Sequence, residues 1–442
     1  MDIQLKRREF LLDEQSQFLH SDLDKVRKEI YARLVQRLDA DFDGVDTNLQ
    51  ELQEEFQDLT TAVEHDYAIE LEAEEKLQVL AVILDELRGT GPLAALLADP
   101  QVSDILINGP EEIWVDRRGR LTKTEIRFDD SQHLMRFLNR MLATQGKTID
   151  HSSPIVDAKL EDGSRLHALM PPLCKNGPVV SIRRFVTQPH DLRDMVSEGF
   201  MSEAMLELLS IAVASGVNII ISGGAASGKT TLMNALSQYI PATERLVTIE
   251  ESAELKLAHA HVVSLEVREA NSEGEGAIGL PDLLKAALRM RADRIMIGEV
   301  RGAEVFDMLQ AMNVGHDGSM ATVHANSPED AIRRLEALTL IHGSNFSTEF
   351  VQALIGSAVQ LVVQLARCND GSRHVESIAQ VAVQNRSLQV SRLFCRHAGH
   401  QQGGDIRACY SGETVAFLPR AESCGLDTTR LQNLLAVETN HD

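Results

Sequence analysis

The chain has 442 residues, is 43% hydrophobic and carries a formal net charge of −23, enough length and apolar content for two to four domains with ordinary cores. Aromatic residues make up only 4%, and the excess of acid argues against a general nucleic-acid binder, because phosphate backbones are held mainly by clustered Lys and Arg. The five cysteines form no C-x-x-C pair, so they support neither a disulfide framework nor a zinc ribbon and read as scattered reduced thiols.

Near the N-terminus, Lys6, Arg7 and Arg8 are followed by Asp13 and Glu14 rather than by an apolar stretch, which does not fit a secretory leader and implies a cytosolic chain. No apolar run approaches the roughly 18 residues of a membrane span, so any membrane role is expected to be peripheral. Residues 1–22 read as a flexible start. Residues 1–80 hold 21 acidic and 9 basic side chains. Within that stretch helical spacing relates Val26, Ile30, Leu34 and Leu38, and then Leu49, Leu52 and Phe56; a third set is Leu77, Leu80, Ile83 and Leu87. Residues 23–90 are therefore read as an acidic helical module, its charged faces either simply solvated or used for docking.

Gly89 to Pro92 breaks the last of these helices, and the pattern then changes. Ile105 to Ile107 and Ile113 to Val115 are short apolar runs separated by turn residues, and strand signals continue to Val179 to Phe185, giving a mixed α/β N-terminal domain over 91–186. A linker containing Pro189 and His190 covers 187–200. In 201–366, helical patterns alternate with buried strands at Asn218 to Ser222, Leu246 to Glu250, His261 to Leu265, Arg294 to Ile297 and Met320 to Val323. That alternation predicts a parallel sheet covered on both faces, with ligands bound where strand carboxyl ends meet helix starts. Residues 367–442 read as a C-terminal strand and helix subdomain: a strand near Ser387 to Val390, a segment from Cys395 to Asp405 with His397, Gly399 and Gly403, and a last helix near Leu431 to Ala436.

Gly223-Gly224-Ala225-Ala226-Ser227-Gly228-Lys229-Thr230 fits G-x-x-x-x-G-K-[ST] and directly follows the apolar run Val217 to Ser222. The run makes a buried strand, and the glycines let backbone N–H groups curl toward phosphate oxygens. The helix beginning around Thr231 turns its positive end to the same charge. A nucleoside triphosphate is the expected ligand. After the next strand, Glu250, Glu251 and Glu254 set three carboxylates on the phosphate rim, where an acid can orient water. The strand Arg294 to Ile297 runs into Gly298-Glu299-Val300-Arg301, the place from which an acid reaches Mg²⁺ through water, with Gly298 where an aspartate is usual. His316 and His324 bracket the strand Met320 to Val323. Histidines so placed serve as caps or core residues as well as sensors of a γ-phosphate, and spacing leaves both roles open.

Together, the phosphate loop, the Thr-Ile-Glu-Glu segment, the Gly-Glu-Val-Arg end and the paired histidines resemble the secretion-ATPase superfamily of type II secretion, type IV pili and type IV secretion. The nearest resemblance is to the pilus-assembly ATPases of tight-adherence (Tad/Flp) systems, whose signatures stand here as Gly91-Pro92-Leu93 with Val102 to Gly109, Asp162 to Arg165, Pro171 to Leu173, Leu288 to Arg291 and Gly315 to Pro328. The likeness covers residues 24–430. It implies a RecA-like P-loop ATPase core using ATP and Mg²⁺, in which Gly223, Gly224, Ala225, Ala226, Ser227, Gly228, Lys229, Thr230 and Thr231 hold the nucleotide. Lys229 would bind the β and γ phosphates, and Thr230 would bind Mg²⁺. Glu254 would polarise the attacking water, Glu299 would act on the Mg²⁺ side through water, and His324 would sense the γ-phosphate. Arg165 and Arg183 match arginines that approach the nucleotide from the preceding domain, with Arg184 a weaker match; surface ion pairing is their plain alternative.

The resemblance further implies a homo-hexamer in the cytoplasm, peripheral to the inner membrane, that works with inner-membrane platform proteins to polymerise or withdraw pilin. No stable nucleic-acid binding and no transmembrane segment are expected. A type IV secretion ATPase for protein or DNA translocation is the near alternative, and a non-catalytic nucleotide-binding scaffold is the distant one. The chain departs from the family's usual residues at Ala225-Ala226 for Thr-Gly, Glu251 for Asp and Ala292 for Pro. Ala226 is the departure with a consequence, because a position needing positive φ is strained by any side chain.

Overall fold

The structure is a computed structural model that describes residues 21–37, 49–87, 91–117, 119–160, 162–184, 192–268, 275–343, 346–368, 370–384, 387–396 and 408–439. The expected flexible start at 1–22, apart from Ser21 and Asp22, lies outside the described residues, as do residues 187–191 of the expected linker and most of the segment from Cys395 to Asp405. The chain divides into two compact units, residues 1–186 and 187–442.

The first unit begins with helices Ser21–Arg37, Leu49–Tyr67 and Ala73–Leu87. They bury one apolar cluster in which Val26, Ile30 and Leu34 meet Phe56, Leu59, Val63, Val79 and Ile83. The third helix is rotated relative to the expected stripe. Leu77 is 58% exposed and Val79 is buried, because the pair Val79 and Ile83, four residues apart, sets the inward face. This helical cluster is pinned by its basic residues. Arg27 Nη2 and Lys28 Nζ reach Asp129 at 3.0 and 2.9 Å, and Arg140 Nη2 donates to the Tyr31 hydroxyl at 3.0 Å. Burial would raise the Asp129 pKa, but hydrogen bonds to His133 and Lys28 and the charge of Arg27 outweigh it and hold the carboxyl well below the usual range.

Six strands follow: β1 (Val102–Asn108), β2 (Ile113–Arg117), β3 (Arg120–Lys123), β4 (Ile155–Lys159), β5 (Arg165–Leu169) and β6 (Val179–Arg183). They form an antiparallel sheet in the order β3-β2-β1-β6-β5-β4. The helix Ser131–Ala143 starts where the Asp130 side chain accepts the His133 N–H, a cap worth about 1 kcal/mol. It buries Leu134, Phe137, Leu138 and Leu142 in the same core as the alternate strand residues Ile105, Ile107, Leu166 and Ile182.

The second unit is built on β7 (Ile219–Gly223), β8 (Leu246–Glu250), β9 (Val262–Glu266), β10 (Arg294–Ile297), β11 (Met320–Val323), β12 (Leu361–Arg367), β13 (Arg373–Gln384), β14 (Ser387–Arg396) and β15 (Ala408–Tyr410). Their order is β15-β14-β13-β12-β7-β11-β10-β8-β9. The strands from β12 to β9 are parallel, and β13 to β15 extend the sheet antiparallel. With β11 lying between β7 and β10, the central order β12-β7-β11-β10-β8 is that of a RecA-like core. Both faces are buried: Ile219 and Ile221 pack into one cluster and Ile220 into the other, as the period of two requires.

Candidate functional site

At the carboxyl end of β7, residues Gly224 to Ser227 turn the chain into the helix Lys229–Leu236. A side chain on Gly223 would meet Ser227 Oγ at 2.5 Å and the Leu365 carbonyl at 2.8 Å, so the loop must begin with glycine. Gly228 precedes the helix at φ 96°, in the left-handed region open to glycine. Ala226 is also left-handed, at φ 55°, which costs an L-residue roughly 1–2 kcal/mol. The sequence-level concern about this alanine is therefore realised in the backbone. Lys229 Nζ donates to the carbonyls of Gly223 and Gly224 at 3.0 and 2.8 Å. Burial lowers its pKa, while Glu299 works in the opposite direction.

The three glutamates at the end of β8 and just beyond it take three different situations. Glu250 is buried, and its Oε1 accepts the N–H groups of Glu254 and Leu255, both at 2.9 Å. Its other oxygen, also buried, has no hydrogen-bond partner among the described residues. Burial raises this carboxyl to about 7, against the lowering effect of the two backbone donors. The turn held by those donors brings Glu254 Oε2 to 3.5 Å from Thr230 Oγ1. Glu251 is exposed and pairs with Arg301 Nη1 at 2.9 Å.

Gly298 has a steric reason to replace an acid. A Cβ there would lie 3.0 Å from Glu250 Cγ, so a side chain at 298 competes for the space that Glu250 fills. The next residue, Glu299, bonds Arg301 Nη2 and has Oε1 4.0 Å from His324 Nδ1. Hydrogen bonding to Glu299 raises the Arg301 pKa further.

The structure thus gathers Lys229, Thr230, Glu254, Glu299 and His324 on one edge of the parallel sheet. Parallel pairing of β11 with β7 puts Val323 beside Ser222 and Met320 beside Ile219, so His324 lies at the loop edge and His316 at the opposite edge. Arg165 and Arg183 belong to the first unit, directly opposite each other on β5 and β6. Arg183 Nε donates to Asp104 at 3.1 Å. Sequence reasoning missed Arg301, which joins Glu251 to Glu299, and the positioning role of Glu250. Arg301 could have been noticed, because an arginine two residues past a rim carboxylate is its nearest cation; no sequence signal distinguishes Glu250 from its neighbours.

The site fits a phosphate ligand and a hard cation. The lysine lies over the loop at the N-terminus of a helix, where anionic oxygens are favoured. Among the described residues, no group of three or more His, Cys, Asp or Glu could hold a metal ion unaided. A hydroxyl and carboxylates near a phosphate loop suit Mg²⁺, which keeps water and shares substrate phosphates.

These features, on a RecA-like sheet, define a phosphate-loop nucleotide-binding protein. The family model for type II/IV secretion system proteins matches residues 86–413, and the chain belongs to that family. A Mycobacterium tuberculosis (strain CDC 1551 / Oshkosh) protein named for conjugal transfer, MT3759, is 35% identical over 342 residues, 76% of this chain and 96% of the relative. The type IV secretion system protein VirB11 of Brucella suis biovar 1 is 31% identical, over 65% of this chain and 88% of its own length. Among solved structures, the Legionella pneumophila ATPase DotB is similar at 20% identity and a TM-score of 0.49, over 78% of this chain and 87% of that one. Among the described residues, no helix is long and apolar enough to cross a membrane.

Proposed function

We propose that this chain is a Mg²⁺-dependent ATPase that drives a bacterial pilus-assembly or secretion machine. The observation that carries the enzymatic reading is the approach of Glu254 Oε2 to Thr230 Oγ1, 3.5 Å, which sets a carboxylate beside the hydroxyl of the phosphate loop. On binding, Lys229 exchanges the carbonyls of Gly223 and Gly224 for β- and γ-phosphate oxygens. Thr230 and Glu299 hold the cation side, Glu254 accepts a proton from the attacking water, and His324 faces the γ-phosphate. Mg²⁺, when bound, neutralises phosphate charge. Arg165 and Arg183 add positive charge to the transferred phosphoryl group, and a homo-hexameric ring passes the resulting motion to inner-membrane platform proteins.

The proposed work is pilin polymerisation, on the strength of the motif resemblance to tight-adherence ATPases. Type IV secretion is the second reading, favoured by the names of the conjugal-transfer and VirB11 relatives. The test is ATP turnover by the full chain with and without Mg²⁺. Wild type should exceed Lys229→Ala by on the order of 10²–10³, the cost of removing one positioned donor to developing charge, lose turnover to a chelator, and be unchanged by added DNA. No turnover above Lys229→Ala would leave a nucleotide-binding scaffold, and strong stimulation by DNA would favour the translocation reading.

A further inference from the structure

Two cysteines that read as scattered thiols in the sequence face each other in the sheet. β14 and β15 pair antiparallel with Cys395 directly opposite Cys409, between the pairs Phe394 with Tyr410 and Arg396 with Ala408. The Ser411 N–H donates to the Leu393 carbonyl at 2.8 Å, which continues the same register. Directly opposed residues in an antiparallel pair hold their Cα atoms about 4.5–5.5 Å apart, with both side chains on one face. That separation lies inside the roughly 4.4–6.8 Å from which a disulfide closes. Both residues are in the thiol form and half-buried. The remaining cysteines have other surroundings: Cys174 belongs to the first unit, Cys424 follows the helix Leu418–Ser423, and Cys368 Sγ lies 3.7 Å from His374 Nδ1.

We propose that Cys395 and Cys409 are a redox-active dithiol that closes to a cross-strand disulfide, with a low-molecular-weight disulfide of the glutathione type as oxidant. The thiolate of one cysteine attacks a sulfur of the small disulfide; a protein–glutathione bond forms, the small S–S bond breaks, and the departing thiolate takes up a proton. The second cysteine, as its thiolate, then attacks the protein sulfur of that mixed disulfide and releases the second small thiol. Two protein thiols are oxidised and one small disulfide is reduced to two thiols. The donor bond from Ser411 to Leu393 places the hydrogen-bonded pairs of this ladder at 393 with 411 and at 395 with 409. Cα atoms at such pairs lie about 5.5 Å apart, close to the separation that most disulfides span. The pair is only half-buried, so a bridge there stays within reach of a small thiol and can be reduced again, as a sensor requires. Closure ties β15 covalently to β14 at the far edge of the sheet from β9, independently of what the phosphate loop does.

The experiment incubates the full wild-type chain with oxidised glutathione, blocks remaining thiols with N-ethylmaleimide and maps peptides without reductant. The expected result is a joined peptide pair containing Cys395 and Cys409, with loss of two hydrogens and of two alkylation sites, reversed by dithiothreitol. Cys368 and Cys424, both exposed, should take at most one glutathione each. In Cys409→Ser, Cys395 should stop at the mixed disulfide. Oxidised wild type that keeps both cysteines alkylated, stops at mixed disulfides, or bridges two chains would overturn the proposal. Sulfur connectivity and ATP turnover are separate readouts, so failure of either reading leaves the other intact.

Discussion

At the amino ends of the parallel strands every polar group of Asn218 is used, whereas at their carboxyl ends several buried polar atoms stand unmatched. Asn218 Oδ1 accepts the N–H groups of Gly318 and Ser319 at 2.8 and 3.0 Å, and its Nδ2 donates to the Met312 and Ala358 carbonyls at 3.1 and 2.7 Å. Beside it Arg294, 1% exposed, pairs with Glu244 and donates to the Val213 carbonyl at 2.7 Å. Gly318 leaves the room this requires, since a Cβ there would sit 2.5 Å from the guanidinium. Toward the other end, Ser222 Oγ and one Glu250 oxygen, with Thr248 Oγ1 in mid-strand, are buried without partners among the described residues, and Ala226 is left-handed; at the amino edge His316 Nδ1 is likewise without one. Satisfied polar groups hold a fold, while unsatisfied ones cost free energy unless a ligand or a rearrangement meets them. The amino end therefore stabilises the unit, and the carboxyl end keeps strain and unmet polarity where a charged substrate binds.

The contrast can be broken first at the stable end. Arg294→Met should destabilise the chain by about 3 kcal/mol, because it strands Glu244 and opens the Val213 carbonyl, while folded protein keeps its nucleotide affinity. Urea unfolding and nucleotide titration check the two halves, and unaltered stability would remove the claim that this end locks the fold. A smaller effect is expected at Glu250. Its folded value is raised from 4.5 to about 7, so the folded chain retains a proton that the unfolded chain releases. The stabilisation from that neutral acid is complete below about pH 4.5 and is lost as pH rises through about 7. Between about pH 5 and pH 8, wild type should lose roughly 1–3 kcal/mol relative to Glu250→Gln; parallel pH profiles would show that the carboxyl is not held neutral. Smallest is Ala226→Gly, expected to gain about 1 kcal/mol by relieving the left-handed alanine. Equal stability of the two would mean that the loop carries no such strain.

Much of the second unit was legible because its strands are continuous apolar runs bounded by loops. Asn218 to Ser222 became β7 within one residue, and Arg294 to Ile297 became β10 unchanged. The phosphate loop followed from its spacing, whereas the risk at Ala226 followed from the family resemblance, in which a glycine is usual there. What escaped was what depends on a partner distant in sequence. The face of helix Ala73–Leu87 was set by packing against two other helices, which turned Leu77 outward. The reason for Gly298 is the volume of Glu250, 48 positions earlier. Arg301 was visible as a charge, but its bridging of Glu251 and Glu299 depends on β8 and β10 lying side by side. In the same way, a register of sheet pairing, and no spacing rule, brings Cys395 to Cys409.

The division between a stabilising end and a working end is tested most directly by Mg²⁺-ATP turnover of Glu254→Gln, measured together with its nucleotide affinity and unfolding midpoint. Turnover should fall by on the order of 10²–10⁴ with affinity and midpoint kept, because the change removes a proton acceptor beside Thr230 and leaves the polar groups around Asn218 and Arg294 intact. Turnover equal to wild type would contradict the placement of the reacting water at Glu254.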